Sequence, residues 1–158
     1  MLTLVADGGC NNKTGRGGWG YAIVRDGIII HEEYGVAEAT TNQRMELAAI
    51  ENGLHYIYSK IGMMHPVLIK SDSKYAIGLL TLKSKQHKKL DLFNKAKNHI
   101  VWQYKATANK DIVDRARLLV LCSKKPITFQ WVKGHSGDCP FHDRVDKQIY
   151  KTYNLTSE

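Results

Sequence analysis

Between Val132 and Asp146 the chain reads VKGHSGDCPFHDRVD, a stretch holding two histidines, a cysteine and three aspartates, punctuated by Gly134 and Gly137. Such residues could hold zinc through nitrogen and sulfur, bind a hard divalent cation through carboxylates, or form a polar loop without chemistry. The zinc option recruits His135, Cys139 and His142 in an H-x3-C-x2-H spacing, one ligand short of a closed structural site. The hard-metal option needs carboxylates from elsewhere in the chain. Asp7 and Asp72 are each the first acid after a short hydrophobic run, and Glu46 and Asp146 fall in helical patterns. Each has an ordinary reading as well. An aspartate after a strand is a common turn former or cap, Glu46 could complement a helix dipole, and Asp146 could pair with Arg144 or Lys147. Spacing alone does not choose among these readings.

The elements that would position these residues alternate between two periods. Leu2 to Ala6 reads as a buried strand ending at Asp7-Gly8-Gly9, and Gly15 to Gly20 leads into a second strand at Tyr21–Val24. Asp26-Gly27 is a hairpin signal, with a third strand from Ile28 to Tyr34. From Asn42 the period changes: Leu47, Ile50, Leu54, Ile57 and Ile61 recur at helical steps until Gly62. Pro66 to Ile69 predicts a fourth strand, Ser73 to Leu80 a short helix, and the lysine-rich segment after it a helical continuation. Asp111 to Leu121 reads as a helix, Ile127 to Val132 as a strand, and Phe141 to Tyr153 as a final helix with Val145 and Ile149 inward. This order predicts an α/β domain, a mixed sheet with helices on its faces. With no internal repeat, linker or low-complexity tract, one domain is expected over residues 1–158.

At 158 residues, 43% hydrophobic and 24% charged, the chain can bury a core without staples. Cys10, Cys122 and Cys139 are odd in number and form no C-x-x-C pair, so reduced thiols are expected. The opening MLTLVADGG has no basic leader before a long apolar run, and no stretch reaches the length of a membrane helix. A soluble, cytoplasmic protein is the expectation. A net charge of +8 favours polyanionic partners such as nucleic acid. Lys83, Lys85, Lys88, Lys89, Lys95, Lys97, Lys105 and Lys110 lie against a single Asp91, with Trp102 and Tyr104 among them. Such a stretch can neutralise phosphates and stack on bases or sugars; equally, it can be a solvated face whose aromatics turn inward.

The segments ADGGC, GRGGWGY, TTNQRMELAAI, KSDSKYAI and WVKGHSGDCPFHDRVD, taken in this order, resemble the type 1 ribonuclease H family over nearly the whole chain. The resemblance implies a five-stranded mixed sheet, with three antiparallel N-terminal strands and two further strands, flanked by helices. It implies an endonuclease that cuts the RNA strand of RNA–DNA hybrids by two-metal-ion catalysis and leaves 5′-phosphate and 3′-hydroxyl ends. The family's metal-binding acids fall on Asp7, Glu46, Asp72 and Asp146. Hard oxygen ligands of that kind suit two ions of Mg2+ or Mn2+. His135 matches a mobile-loop histidine placed for proton transfer and product release, tasks that suit an imidazole.

The matching substrate positions are Gly8, Gly9, Cys10, Asn42 and Gln43 for the RNA strand, read through its 2′-hydroxyls. Thr41 and Arg44 match contacts to DNA phosphate, and Lys13 stands where bacterial members carry Asn in a phosphate pocket. Lys85, Lys88 and Lys89 lie where many members carry a basic handle that grips the hybrid. No protein partner is implied, and a monomer is expected. Ala6 departs from the usual Thr, His142 from an Asn four residues before the last acid, and the loop from His135 to Asp146 is one residue longer than the bacterial pattern. Within VKGHSGDCPFHDRVD, Asp138, Cys139 and Asp143 are expected to be bystanders. His142 is left open, as a second proton carrier or a packing residue.

Overall fold

The computed structural model describes residues 1–81, 91–94, 99–102 and 109–155, with side chains through Tyr153 outside the two short central strands. Its main sheet has five strands: β1 (Leu2–Cys10), β2 (Gly17–Arg25), β3 (Ile28–Ala37), β4 (Val67–Ser71) and β7 (Ile127–Trp131). They lie in the order β3-β2-β1-β4-β7. β1, β2 and β3 pair antiparallel, and β4 runs parallel to both β1 and β7. The mixed sheet is therefore the one expected. Asp26 and Gly27 both take positive φ, 53° and 76°, as the turn between β2 and β3 demands.

Among the described residues four helices flank the sheet: α1 (Asn42–Tyr56), α2 (Lys74–Leu80), α3 (Lys110–Cys122) and α4 (Pro140–Leu155). Strand alternation divides the core in two. Leu2, Leu4 and Ala6 point to the larger cluster, with Leu47, Ile50 and Leu54 of α1, Ala76 and Leu80 of α2, and Ile112, Val113 and Ala116 of α3. Val5, Ala22 and Val24 point the other way, onto Val145 and Ile149 of α4. α1 passes into one π-helical turn, Ile57–Ile61, before Gly62 ends it at φ 122°.

Two expectations are corrected. β1 does not end at Ala6 but continues through Asp7, Gly8 and Gly9 to Cys10, with Asp7 opposite Gly20. Gly8 serves packing within the strand: a Cβ on it would lie 2.3 Å from the Met45 carbonyl carbon and 2.5 Å from the Glu46 nitrogen. The lysine-rich segment is not helical where it is described. β5 (Asp91–Asn94) and β6 (His99–Trp102) pair antiparallel as a separate ribbon. Short runs such as DLFN and HIVW carry no helical repeat long enough to outweigh their β-forming residues.

Candidate active site

Each acid reaches the site by a different local device. Asp7 sits mid-strand on the face that Val5 shows to α4, and is 2% exposed. Glu46 stands in the first turns of α1, whose start is capped by the Thr41 hydroxyl accepting from the Arg44 N–H at 3.2 Å. Because Gly8 lacks a side chain, α1 backs directly onto β1, and Glu46 comes to rest buried beside Asp7. Asp72 follows β4, just before the Ser73 cap of α2. Its carbonyl accepts from the Trp131 indole N–H at 3.0 Å, while the Ser71 carbonyl accepts from the Val132 N–H at 2.9 Å. Asp146 projects from α4 one turn after His142.

The result is a buried floor of Asp7, Glu46 and His142 beneath the more open Asp72 and Asp146, whose side chains are 26% and 30% exposed. Ligand atoms of Asp7, Asp72 and His142 lie within 4.8 Å of one another. His142 Nε2 is 3.7 Å from Asp7 Oδ1 and 3.8 Å from Asp72 Oδ1. His135 stands over the cluster on the exposed loop, its Nδ1 3.4 Å from Asp146 Oδ2 and its backbone at φ 56°. Gly134 lets that loop lie on the acids, since a Cβ there would meet Asp72 Oδ2 at 2.7 Å.

The charges in this space repel one another. Burial first, then the Asp72 carboxylate, raises the Asp7 pKa well above the usual range. Burial followed by Asp7 and Asp72 does the same to Glu46. Burial likewise favours neutral imidazole at His142, against the pull of Asp72 and Asp146. Glu46 Oε2 and both ring nitrogens of His142 are buried and find no hydrogen-bond partner. Crowded carboxylates that lack donors are the residues a hard divalent cation would satisfy.

The substrate positions expected from the sequence divide. Gly8, Gly9 and Cys10 end β1 beside the start of α1, tied there by Cys10 Sγ against the Thr40 carbonyl at 3.4 Å. Thr41, Asn42 and Gln43 are exposed along that same rim. Lys13 is exposed in the turn after β1, its N–H donating to Asn11 Oδ1 at 2.9 Å. Arg44 is already engaged, donating to both Asp111 carboxylate oxygens at 3.0 and 2.7 Å. Lys85, Lys88 and Lys89 lie outside the described residues. Among the described residues the metal-type grouping holds His142 but neither His135 nor Cys139, so the three do not form the zinc set that their spacing allowed. Cys139 is instead buried, its carbonyl accepting the Asp143 N–H at 3.1 Å in the first turn of α4. Sequence reasoning left His142 unassigned, although its place one turn before Asp146 puts both on one helix face. It missed the Trp131 and Gly134 contacts to Asp72 altogether.

An acid cluster laid across the middle of such a mixed sheet is the plan of an α/β nuclease. The RNase H family model matches residues 1–152. Ribonuclease H of Saccharopolyspora erythraea is 34% identical over 151 residues, covering 95% of this chain and 88% of that protein. Ribonuclease H of Hydrogenovibrio crunogenus is 35% identical over 149 residues, with 92% and 90% covered. Among solved structures, LC11-RNase H1 in complex with an RNA/DNA hybrid superposes with a TM-score of 0.75 at 15% identity, both chains covered in full. The N-terminal RNase H domain of a Mycobacterium tuberculosis protein, solved as a fusion with maltose binding protein, gives 0.71 at 17% identity, again with full coverage. The chain belongs to the RNase H family, and it is an endoribonuclease.

Proposed function

We propose that this protein hydrolyses the RNA strand of RNA–DNA hybrids at the Asp7–Glu46–Asp72–Asp146 cluster with two divalent ions, Mg2+ or Mn2+, leaving 5′-phosphate and 3′-hydroxyl ends. The observation that carries the reading is the convergence of these acids from β1, α1, β4 and α4 into one space, buried below and open above. The ions would supply an activated water and charge stabilisation at the leaving oxygen. Asp7 and Glu46 place carboxyl groups where water is excluded, and Asp72 and Asp146 place theirs at the open rim. Trp131 and Gly134 keep Asp72 in place. His135, exposed and beside Asp146, is positioned to pass a proton to bulk water.

The rim of Gly8, Gly9, Cys10, Asn42 and Gln43 would meet the ribose side of the RNA strand, where exposed helix-start amides and side-chain amides can address 2′-hydroxyls. Thr41 and Lys13 would face phosphate. Lys85, Lys88 and Lys89 would add non-specific grip. The protein would act as a single-domain cytoplasmic monomer, and among the described residues no helix is long and apolar enough to cross a membrane. The test is cleavage of end-labelled RNA–DNA hybrid, duplex DNA and single-stranded RNA with Mg2+, Mn2+ or EDTA. Hybrid cutting that needs a metal, lost in Asp72→Asn without loss of hybrid binding, is the expected outcome. Cutting of duplex DNA but not of hybrid would overturn it.

A further inference from the structure

His142 is the one buried member of the site that the acid cluster does not account for. Its side chain is 1% exposed, and neither Nδ1 nor Nε2 has a hydrogen-bond partner. A buried polar atom left in that state is costly unless something satisfies it. Its Nε2 lies 3.7 and 3.8 Å from carboxylate oxygens of Asp7 and Asp72, too far for hydrogen bonds. Those separations suit donors that share an ion. With bonds of about 2.1 Å, octahedral donors stand about 3 Å apart when adjacent and about 4.2 Å apart when opposite. The ring is buried against the acids from α4, one turn from Asp146.

We propose that His142 Nε2 is a nitrogen ligand to the divalent ion held by Asp7 and Asp72, which makes this a mixed nitrogen–oxygen centre that favours transition-metal ions over Mg2+. The inference rests on the cluster being a metal site. An imidazole nitrogen is a softer donor than a carboxylate or water, and its affinity rises from Mn2+ towards Co2+ and Zn2+, whereas Mg2+ gains little from it. Asn in this place would offer an amide oxygen of similar reach and remove the preference. His135 cannot take over the role, since it stands on the exposed loop beside Asp146.

The experiment uses the 158-residue chain without hybrid. Titration calorimetry with Mn2+, Co2+ and Mg2+ compares wild type, His142→Asn, His142→Gln and Asp7→Asn, and pulsed electron paramagnetic resonance of the Mn2+ forms reads directly bound nitrogen. Wild type should show nitrogen coupling, and His142→Asn should lose it. The same change should weaken Mn2+ and Co2+ binding at least about tenfold, the lower end of the cost of removing a supporting group from a metal site, and Mg2+ binding less than about threefold. His142→Gln guards against a folding defect, and the two variants should agree. Absent nitrogen coupling in Mn2+-loaded wild type, or equal weakening for all three ions, overturns the role of His142. If Asp7→Asn binds Mn2+ as tightly as wild type, or wild type binds none, the cluster is not the metal site and the reading beneath the inference fails with it.

Discussion

Asp7 is the most confined of the acids, and its surroundings set an energetic conflict. It is buried, faces Asp72 and Asp146, and has Glu46 beside it. Without a cation, the fold must either hold these negative charges together out of water or bind protons to remove them, and both are costly. Replacing Asp7 by Asn should therefore stabilise the metal-free protein while destroying the site. In EDTA at neutral pH, Asp7→Asn is expected to melt about 3–6 °C above wild type, about 1–2 kcal/mol for a chain of this size. Millimolar Mg2+ or Mn2+ should raise the wild-type Tm and leave the variant nearly unmoved. Differential scanning fluorimetry checks both. A variant that melts below wild type in EDTA would mean that Asp7 is held by favourable contacts, not by crowding. The conflict was only half visible in the chain. Each acid could be picked out, but burial could not, because Asp7 was read at a strand exit when it lies within the strand. Gly8 shows what a local reading leaves out: its missing side chain makes room for α1, a helix from a distant part of the chain.

At the level of elements, ion pairs fix how helices meet the sheet and each other. Arg144 of α4 donates to both carboxylate oxygens of Glu32 on β3, at 3.2 and 2.9 Å. The hydrogen bond from Arg144 holds the Glu32 carboxyl below its ordinary value of 4.5, with the charge of Arg144 adding to it. A depressed acid contributes stability that is present above 4.5 and lost as pH falls through the folded value. Glu32→Gln should thus lower the Tm by about 2 °C at pH 7, a modest effect because the pair is partly exposed and screened. The gap from wild type should shrink as pH drops below 4.5, read in paired thermal melts. A gap independent of pH would show that packing and not the ion pair is lost.

The join between α1 and α3 carries a functional consequence. Arg44 is neutralised by Asp111, with Arg115 paired to Glu51 alongside. Phosphate would have to compete with a bidentate carboxylate for that guanidinium. Asp111→Asn should release Arg44 and tighten hybrid binding about two- to threefold at low salt, a gain that Arg44→Gln in the same background removes. Fluorescence anisotropy with Asp72→Asn versions measures this without cleavage. Unchanged affinity would place Arg44 away from the hybrid. α1 was legible from its period and from the stop signal at Gly62. The Arg44 pairing was not, because 67 residues separate its partners and only the packed fold brings them together.

Over the whole molecule, the excess of +8 is what a polyanion meets first, and much of it comes from the lysines between Lys83 and Lys110. Those residues bracket the β5–β6 ribbon, a separate element and not part of the five-stranded sheet. The acid cluster is carried by β1, β4, α1 and α4, so a grip on those lysines would leave the chemistry to a different part of the chain. Contacts of such a grip would be made equally to bound substrate and to the transition state. They should lower KM without raising kcat. Replacing Lys85, Lys88 and Lys89 together by Ala removes three charges, each releasing about 0.9 counterion if it neutralises one phosphate. The slope of log Kd against log salt should fall by about 2–3 in the triple variant, measured with Asp72→Asn from 50 to 300 mM KCl. In the active background KM for hybrid should rise at least about tenfold at physiological salt while kcat changes less than about twofold. A fall in kcat at saturating hybrid, with the salt slope intact, would instead tie these lysines to the ordering of the reacting phosphate, and the division between grip and chemistry would fail.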